Sequence, residues 1–164
     1  YRSQRVKIPL PFDYYKCSIN QEEFHRIQSM LPDINSKTTR VFEKDPHVTL
    51  ITTKSENWSL EQPDYHGKSV IIIPTGYVFK ETPGNKKKGP SHTVVIQAKL
   101  EDTDGNDLGH LIDSGHPHIS YALRKGRAPM ESVKELVSAT SEQTFRFPEP
   151  HLRIESQIVL NGTN

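Results

Sequence analysis

Residues 114–123 read "SGHPHISYAL", a run of strand composition that carries His116 and His118 two apart and Ser120 soon after. Packing alone gives no reason for that interruption, and the chain holds an echo of it. "PHVTL" at 46–50 and "PHISY" at 117–121 are each proline, histidine, a β-branched apolar residue, a hydroxyl residue, then a large apolar or aromatic one. Residues two apart in a strand point to the same face. His47 therefore shares a face with Thr49, and His118 with Ser120, while Val48, Leu50, Ile119 and Tyr121 turn the other way. If the two strands lie side by side or face one cleft, two imidazoles and two hydroxyls meet over an apolar backing.

That set suits a phosphate. Histidine's ordinary pKa lies near neutrality, so one imidazole can take a proton while the other gives one. The hydroxyls can hold the non-bridging oxygens as charge grows on a five-coordinate phosphorus, and no metal or other cofactor is required. The other histidines lack the pattern: His25, His66, His92, His110 and His151 have no hydroxyl residue two positions on, and read as structural or solvated.

Working outward, "YYKCSI" (14–19) has strand composition, and "NQEEFHRIQSML" (20–31) spaces Phe24, Ile27, Met30 and Leu31 as a helix behind an Asn20 cap. "PDINSKTTRVFEKDP" (32–46) reads as a turn-rich bridge, "HVTLITT" (47–53) as a strand and "SENWSLEQPDYHG" (55–67) as loop. Pro74 and Gly76 split "KSVIIIPTGYVFKE" (68–81), which predicts a bulge or sheet edge rather than one central strand. "TPGNKKKGPS" (82–91) and "HTVVIQAKL" (92–100) read as a basic hairpin tip leading into a clear strand. A short helical turn is expected within 101–117. "APMESVKELVSAT" (128–140) reads as a helix entered by Pro129, and "FRFP" and "HLRIESQIVLNG" as closing strands. The sum is α+β with antiparallel pairing, strands outnumbering helices.

The 164 residues, about a third of them apolar, suit one domain with a real core. Lys and Arg total 21 against 20 Asp and Glu, so no global charge drives nucleic-acid binding and an anion must be caught locally. The apolar runs are too short to cross a bilayer, and the first residues lack a signal-peptide layout. With a lone Cys17, this points to a reducing compartment, cytoplasm or nucleus, and to a monomer without membrane contact. The chain starts at Tyr1 rather than Met and its first 13 residues read as a linker, so residues 14–164 are expected to be one domain of a larger protein.

On the two triplets, the chain resembles the 2H phosphoesterase superfamily, named for two His-x-Ser/Thr motifs borne on strands. "HPHISYALRKGRAPMESVKELVSA" looks like the corresponding region of the C-terminal cyclic phosphodiesterase domain of fungal tRNA ligases and of 2′,3′-cyclic-nucleotide 3′-phosphodiesterases. "YYKCSIN" before a helix resembles their first strand. The resemblance implies a two-lobed fold, antiparallel sheets flanking a central cleft with helices outside. It implies His47 and His118 as catalytic and Thr49 and Ser120 as phosphate-binding, with serine where these relatives more often have threonine. It also places Tyr14 or Tyr15 and His116 at the substrate edge, with Arg124 and Lys125 near an RNA backbone. The implied reaction is hydrolysis of a 2′,3′-cyclic phosphate at an RNA or nucleotide end, such as a tRNA exon half, to a 2′-phosphate and a free 3′-hydroxyl. Kinase and ligase domains in the same polypeptide are part of that expectation.

Three other readings compete. His116 and His118 could chelate zinc, but no third ligand stands at a recognisable spacing. "GNKKKG" (84–89) and "RKGR" (124–127) could belong to a non-catalytic RNA-binding module, although neither run contains an aromatic for stacking. A 2′,5′-phosphodiesterase of the same superfamily would carry the same triplets.

Overall fold

A computed structural model of the chain describes residues 14–52 and 66–161. The linker read over residues 1–13 and most of the loop read over 55–67 lie outside these. The elements run β1 (Tyr14–Ser18), α1 (Gln21–Gln28), β2 (Thr39–Val41), β3 (His47–Thr52), β4 (Ser69–Thr82), β5 (Ser91–Asp102), β6 (His118–Arg124), α2 (Ser132–Val137), β7 (Thr144–Arg146) and β8 (Ile154–Leu160). Single 3₁₀ turns occupy Gly109–Leu111, Pro129–Glu131 and Ser141–Gln143. The protein is α+β, mostly antiparallel sheet with few helices.

The strands form an eight-stranded sheet in the order β2-β6-β3-β1-β8-β4-β5, with β7 on β4. A further pairing of β5 with β6 closes six of them, β6-β3-β1-β8-β4-β5, into a ring. Alternation explains the facing. In β1, Tyr15 and Cys17 are buried while Tyr14, Lys16 and Ser18 are partly exposed. In β3 and β6 the same rhythm buries Val48, Leu50, Ile119 and Tyr121. These join one core cluster with Phe24, Ile27, Ile72, Ile96, Leu100, Ile154 and Ile158. Burying each such side chain is worth about 1.5–3 kcal/mol.

Helix α1 starts where Asn20 accepts a hydrogen bond from Glu23 N at 2.8 Å, and it lays Phe24 and Ile27 into the core. It ends at Gln28, so Met30 and Leu31 pack from the following turn rather than from the helix.

Two readings of the sequence are corrected and a third is met in part. The bridge over 32–46 contains β2, which borrows its order from β6: Thr39 lies opposite Arg124 and Val41 opposite Ala122. The bulge expected at Pro74 and Gly76 is present, but the segment is not a sheet edge: Ser69–Thr82 form one 14-residue strand, β4, with β5 along one edge and β8 and then β7 along the other. The bulge between Pro74 and Gly76 falls in the gap between β8 and β7, where the ladder on that edge is already interrupted. Gly76 is required there because a Cβ would stand 2.2 Å from the carbonyl oxygen of Phe145. Finally, the helix read over 128–140 is a 3₁₀ turn followed by the six-residue α2, capped by Ser138. The segment is anchored chiefly through Ser132, which is fully buried.

Candidate functional site

Strands β3 and β6 are neighbours, paired antiparallel with Val48 opposite Ile119. That register sets His47 across from Ser120 and Thr49 across from His118, all four on the face away from the core. The two triplets are thus related by an approximate twofold axis through the Val48–Ile119 pair. Both of those residues are fully buried beneath the site. All four polar residues line one cavity of about 610 Å³.

The histidines are held alike. His47 Nδ1 lies 2.7 Å from the carbonyl oxygen of Asp45, and His118 Nδ1 lies 2.7 Å from that of His116. A carbonyl only accepts, so in each ring Nδ1 carries the proton and donates it. Nε2 is then the nitrogen left to a ligand, with a lone pair when the ring is neutral. In both triplets the acceptor is the residue two positions before the histidine. The role of His116 is therefore a backbone one; its side chain is exposed and lies outside the cavity lining.

Burial lowers the pKa of both rings. For His47 the bond to Asp45 O and the Asp45 carboxylate oppose that effect, while Lys16 adds to it. For His118 the bond to His116 O opposes burial, and the charges of His116 and His47 reinforce it. Burial thus favours the neutral form of both imidazoles, and a charge on His47 disfavours protonation of His118.

Asp45 organises the His47 side. Its backbone is left-handed at φ 51°, a conformation that aspartate tolerates better than most residues. Its carboxylate accepts from Ser18 Oγ at 2.8 Å and from Lys16 Nζ, and stands 3.8 Å from His47 Nδ1. Burial pushes that carboxyl up, but the bonds and charge of Lys16, the Ser18 bond and the charge of His47 prevail and hold it below the usual range.

The two hydroxyls differ. Ser120 Oγ donates to Pro129 O at 3.1 Å and lies 2.7 Å from Ser132 Oγ, so Ser132 donates to it. Thr49 Oγ1 has no hydrogen bond among the described residues. Ser120 is thus fixed by the 128–132 turn, and Thr49 stands ready for a ligand.

Tyr14 lines the cavity and stacks on His47, ring centroids 5.5 Å apart. Tyr15, the alternative at the substrate edge, points the other way and is buried in the core. Arg124 is exposed at the far end of β6 and does not line the cavity. The cation at the mouth is instead Arg40, lying over the Phe42 ring at 4.8 Å, with Lys44 beside it. Arg40, Phe42 and Met130 sit in stretches that read as bridge or helix start, so no local pattern marks them. Among the described residues no group of three or more His, Cys, Asp or Glu could hold a metal ion, so His116 and His118 gain no third ligand. No helix among them is long and apolar enough to cross a membrane.

The fold and site together describe an α+β antiparallel sheet presenting two histidines and two hydroxyls at one cleft. No family model matches the chain, and no curated protein matches it in sequence. Among solved structures it is similar to a fungal RNA kinase, at 15% identity and a TM-score of 0.56 over 96% of this chain. At that identity the likeness is one of fold. The chain spans about half the length of that structure, covering 46% of it.

Proposed function

We propose that this chain is a metal-independent 2′,3′-cyclic phosphodiesterase with the two-lobed architecture of the 2H phosphoesterases. The observation that carries the reading is the pairing of Val48 with Ile119, which brings both His-x-hydroxyl triplets to one face with both Nε2 atoms available. In the proposed reaction His118 deprotonates a water that attacks phosphorus, and His47 protonates the departing 3′ oxygen. The 2′ ester survives. Thr49 and Ser120 hold the non-bridging oxygens as negative charge builds. Burial favours the neutral form of both rings, and the substrate's phosphate helps to charge one of them on binding.

The fungal RNA kinase of similar fold acts on RNA by its name, which favours an RNA end over a free nucleotide as substrate. Kinase chemistry draws no support from this chain. "GNKKKGPS" (84–91) has the glycine spacing of a phosphate-binding loop, but Pro90 stands where that loop needs lysine, and the stretch joins two strands rather than a strand to a helix.

The test is incubation with matched 2′,3′-cyclic, 2′,5′-linked and 3′,5′-linked substrates, identifying the ester that remains. Cyclic-phosphate opening to a 2′-phosphate is expected from the wild type in excess chelator. His47→Ala and His118→Ala should each lose about 10²–10⁴-fold in rate. Near-normal rate in either variant, or arrest of the wild type by chelator, refutes the metal-free acid and base pair.

A further inference from the structure

Cations separated in sequence gather at one end of the sheet. The β4–β5 hairpin tip carries Lys86, Lys87 and Lys88, the turn before β2 carries Lys37, and the end of β6 carries Arg124 and Lys125. Hydrogen bonds tie these three segments together. Asn35 Nδ2 donates to the carbonyls of Lys88 and Pro90 at 2.8 and 2.7 Å, and Thr38 Oγ1 donates to Pro90 O at 2.7 Å. Lys125 N donates to Thr38 O at 3.0 Å, and Thr39 pairs with Arg124. The Asn85 side chain fixes the tip by accepting from the backbone of Lys87 and Lys88. All six cationic side chains are exposed, and none makes an ion pair among the described residues. Two nearby carboxylates are engaged elsewhere, Glu81 with His92 and Glu131 with Arg127.

An acidic cluster lies at the other end of the same hairpin. Glu101, Asp102, Asp104 and Asp107 stand at the opposite end of the β4–β5 ladder, about 36 Å away at strand rise. Cations attend that cluster, Arg153 reaching Glu101 at 3.4 Å, whereas the six at the basic end have no such partner among the described residues.

The basic end is also continuous with the cleft. Strand β6 leads from His118 to Arg124, about 20 Å, with Arg40 and Phe42 beside that path at the cavity mouth. That length matches about six stacked nucleotides at roughly 3.4 Å each. Phe42, covered by Arg40, supplies the aromatic that the basic runs lack.

Resting on the phosphodiesterase reading for the position of the terminal phosphate, we infer that the basic end formed by residues 37, 86–88 and 124–125 binds single-stranded RNA whose 3′ end enters the His47–His118 cleft. The substrate is then a polynucleotide end, and the patch sets affinity while the cleft performs chemistry.

The test measures binding of single-stranded RNAs of about two, four and eight nucleotides by fluorescence anisotropy, between about 50 and 200 mM salt. The RNAs end in a 3′-hydroxyl, so binding is read whether or not cyclic phosphates are opened. Wild type is compared with Lys86→Ala/Lys87→Ala/Lys88→Ala and with Lys125→Glu; all lie at exposed turn positions. Affinity should rise with length up to about six nucleotides. The triple variant should bind at least tenfold more weakly, with a log–log salt slope shallower by about two. If cyclic mononucleotides are substrates, its turnover of them should be unchanged. Equal binding by wild type and the triple variant, no length dependence, or tighter binding of an acidic peptide or of anionic vesicles than of RNA overturns the inference.

Discussion

Asp45→Asn isolates one charge at the site and can assign the two histidines. Asparagine keeps the side-chain shape, tolerates the left-handed backbone at φ 51°, and leaves in place the carbonyl that accepts from His47 Nδ1. The carboxylate charge goes, and one acceptor becomes a donor, to which the Ser18 hydroxyl can turn as acceptor. The carboxylate stands 3.8 Å from Nδ1 on a side chain 45% exposed, so a water-like dielectric is the fair choice. Coulomb's law then gives about 1 kcal/mol of lost support for the protonated ring, so the pKa of His47 falls. Lys16, left without its carboxylate partner, pushes in the same direction. The first assay is an NMR pH titration of His47, whose midpoint should fall while His118 moves little. The second is cyclic-phosphate opening at about pH 8, above both midpoints. If His47 is the acid, the reactive form needs its proton, and the rate falls by up to about sixfold. If His47 is the base, the reactive form needs the proton of His118, and the rate is nearly unchanged. A His47 midpoint that stays or rises refutes the electrostatic role given to Asp45.

Other outcomes follow from the same geometry. Ser132→Ala removes the buried hydroxyl that donates to Ser120; thermal unfolding should show a loss of about 0.5–1.5 kcal/mol, and phosphate affinity should fall as it does in Ser120→Ala. Because burial depresses both cleft imidazoles, His47 and His118, below the ordinary value near 6.5, the unfolded chain takes up their protons first as pH drops. Stability should therefore decline as pH falls below about 6.5. Denaturant titrations of His47→Gln/His118→Gln should show a flatter decline, and inorganic phosphate should restore stability in the wild type but not in that variant. Cys17 is buried, and burial pushes its thiol up to about 12; it should react with a thiol reagent only on unfolding, and rapid labelling of native protein would contradict the placement of β1 in the core.

The sequence by itself determined the local elements. Alternation in "HVTLITT" and "HISYAL", the Asn20 cap before Phe24 and Ile27, and the turn residues around the lysine tip are properties of adjacent residues, and each appears in place. The triplets also named the four polar residues, because a strand's twofold period puts His47 with Thr49 and His118 with Ser120 whatever surrounds them. Other features needed the fold. Strand β2 is three residues long with no pattern of its own, and exists because β6 offers it an edge. The interruption at Pro74 and Gly76 read as a bulge or a sheet edge; the bulge is there, and two different strands cover that edge of β4 on either side of it. Periodicity could not choose between Tyr14 and Tyr15, since adjacent strand residues differ only in which face the sheet turns to the core. Only the tertiary structure set Val48 against Ile119, tied Ser120 to Ser132, brought Arg40 rather than Arg124 to the cleft and joined the lysine tip to the end of β6. Those are pairings between distant segments, fixed by which surfaces can be buried together, and no window of neighbouring residues contains them.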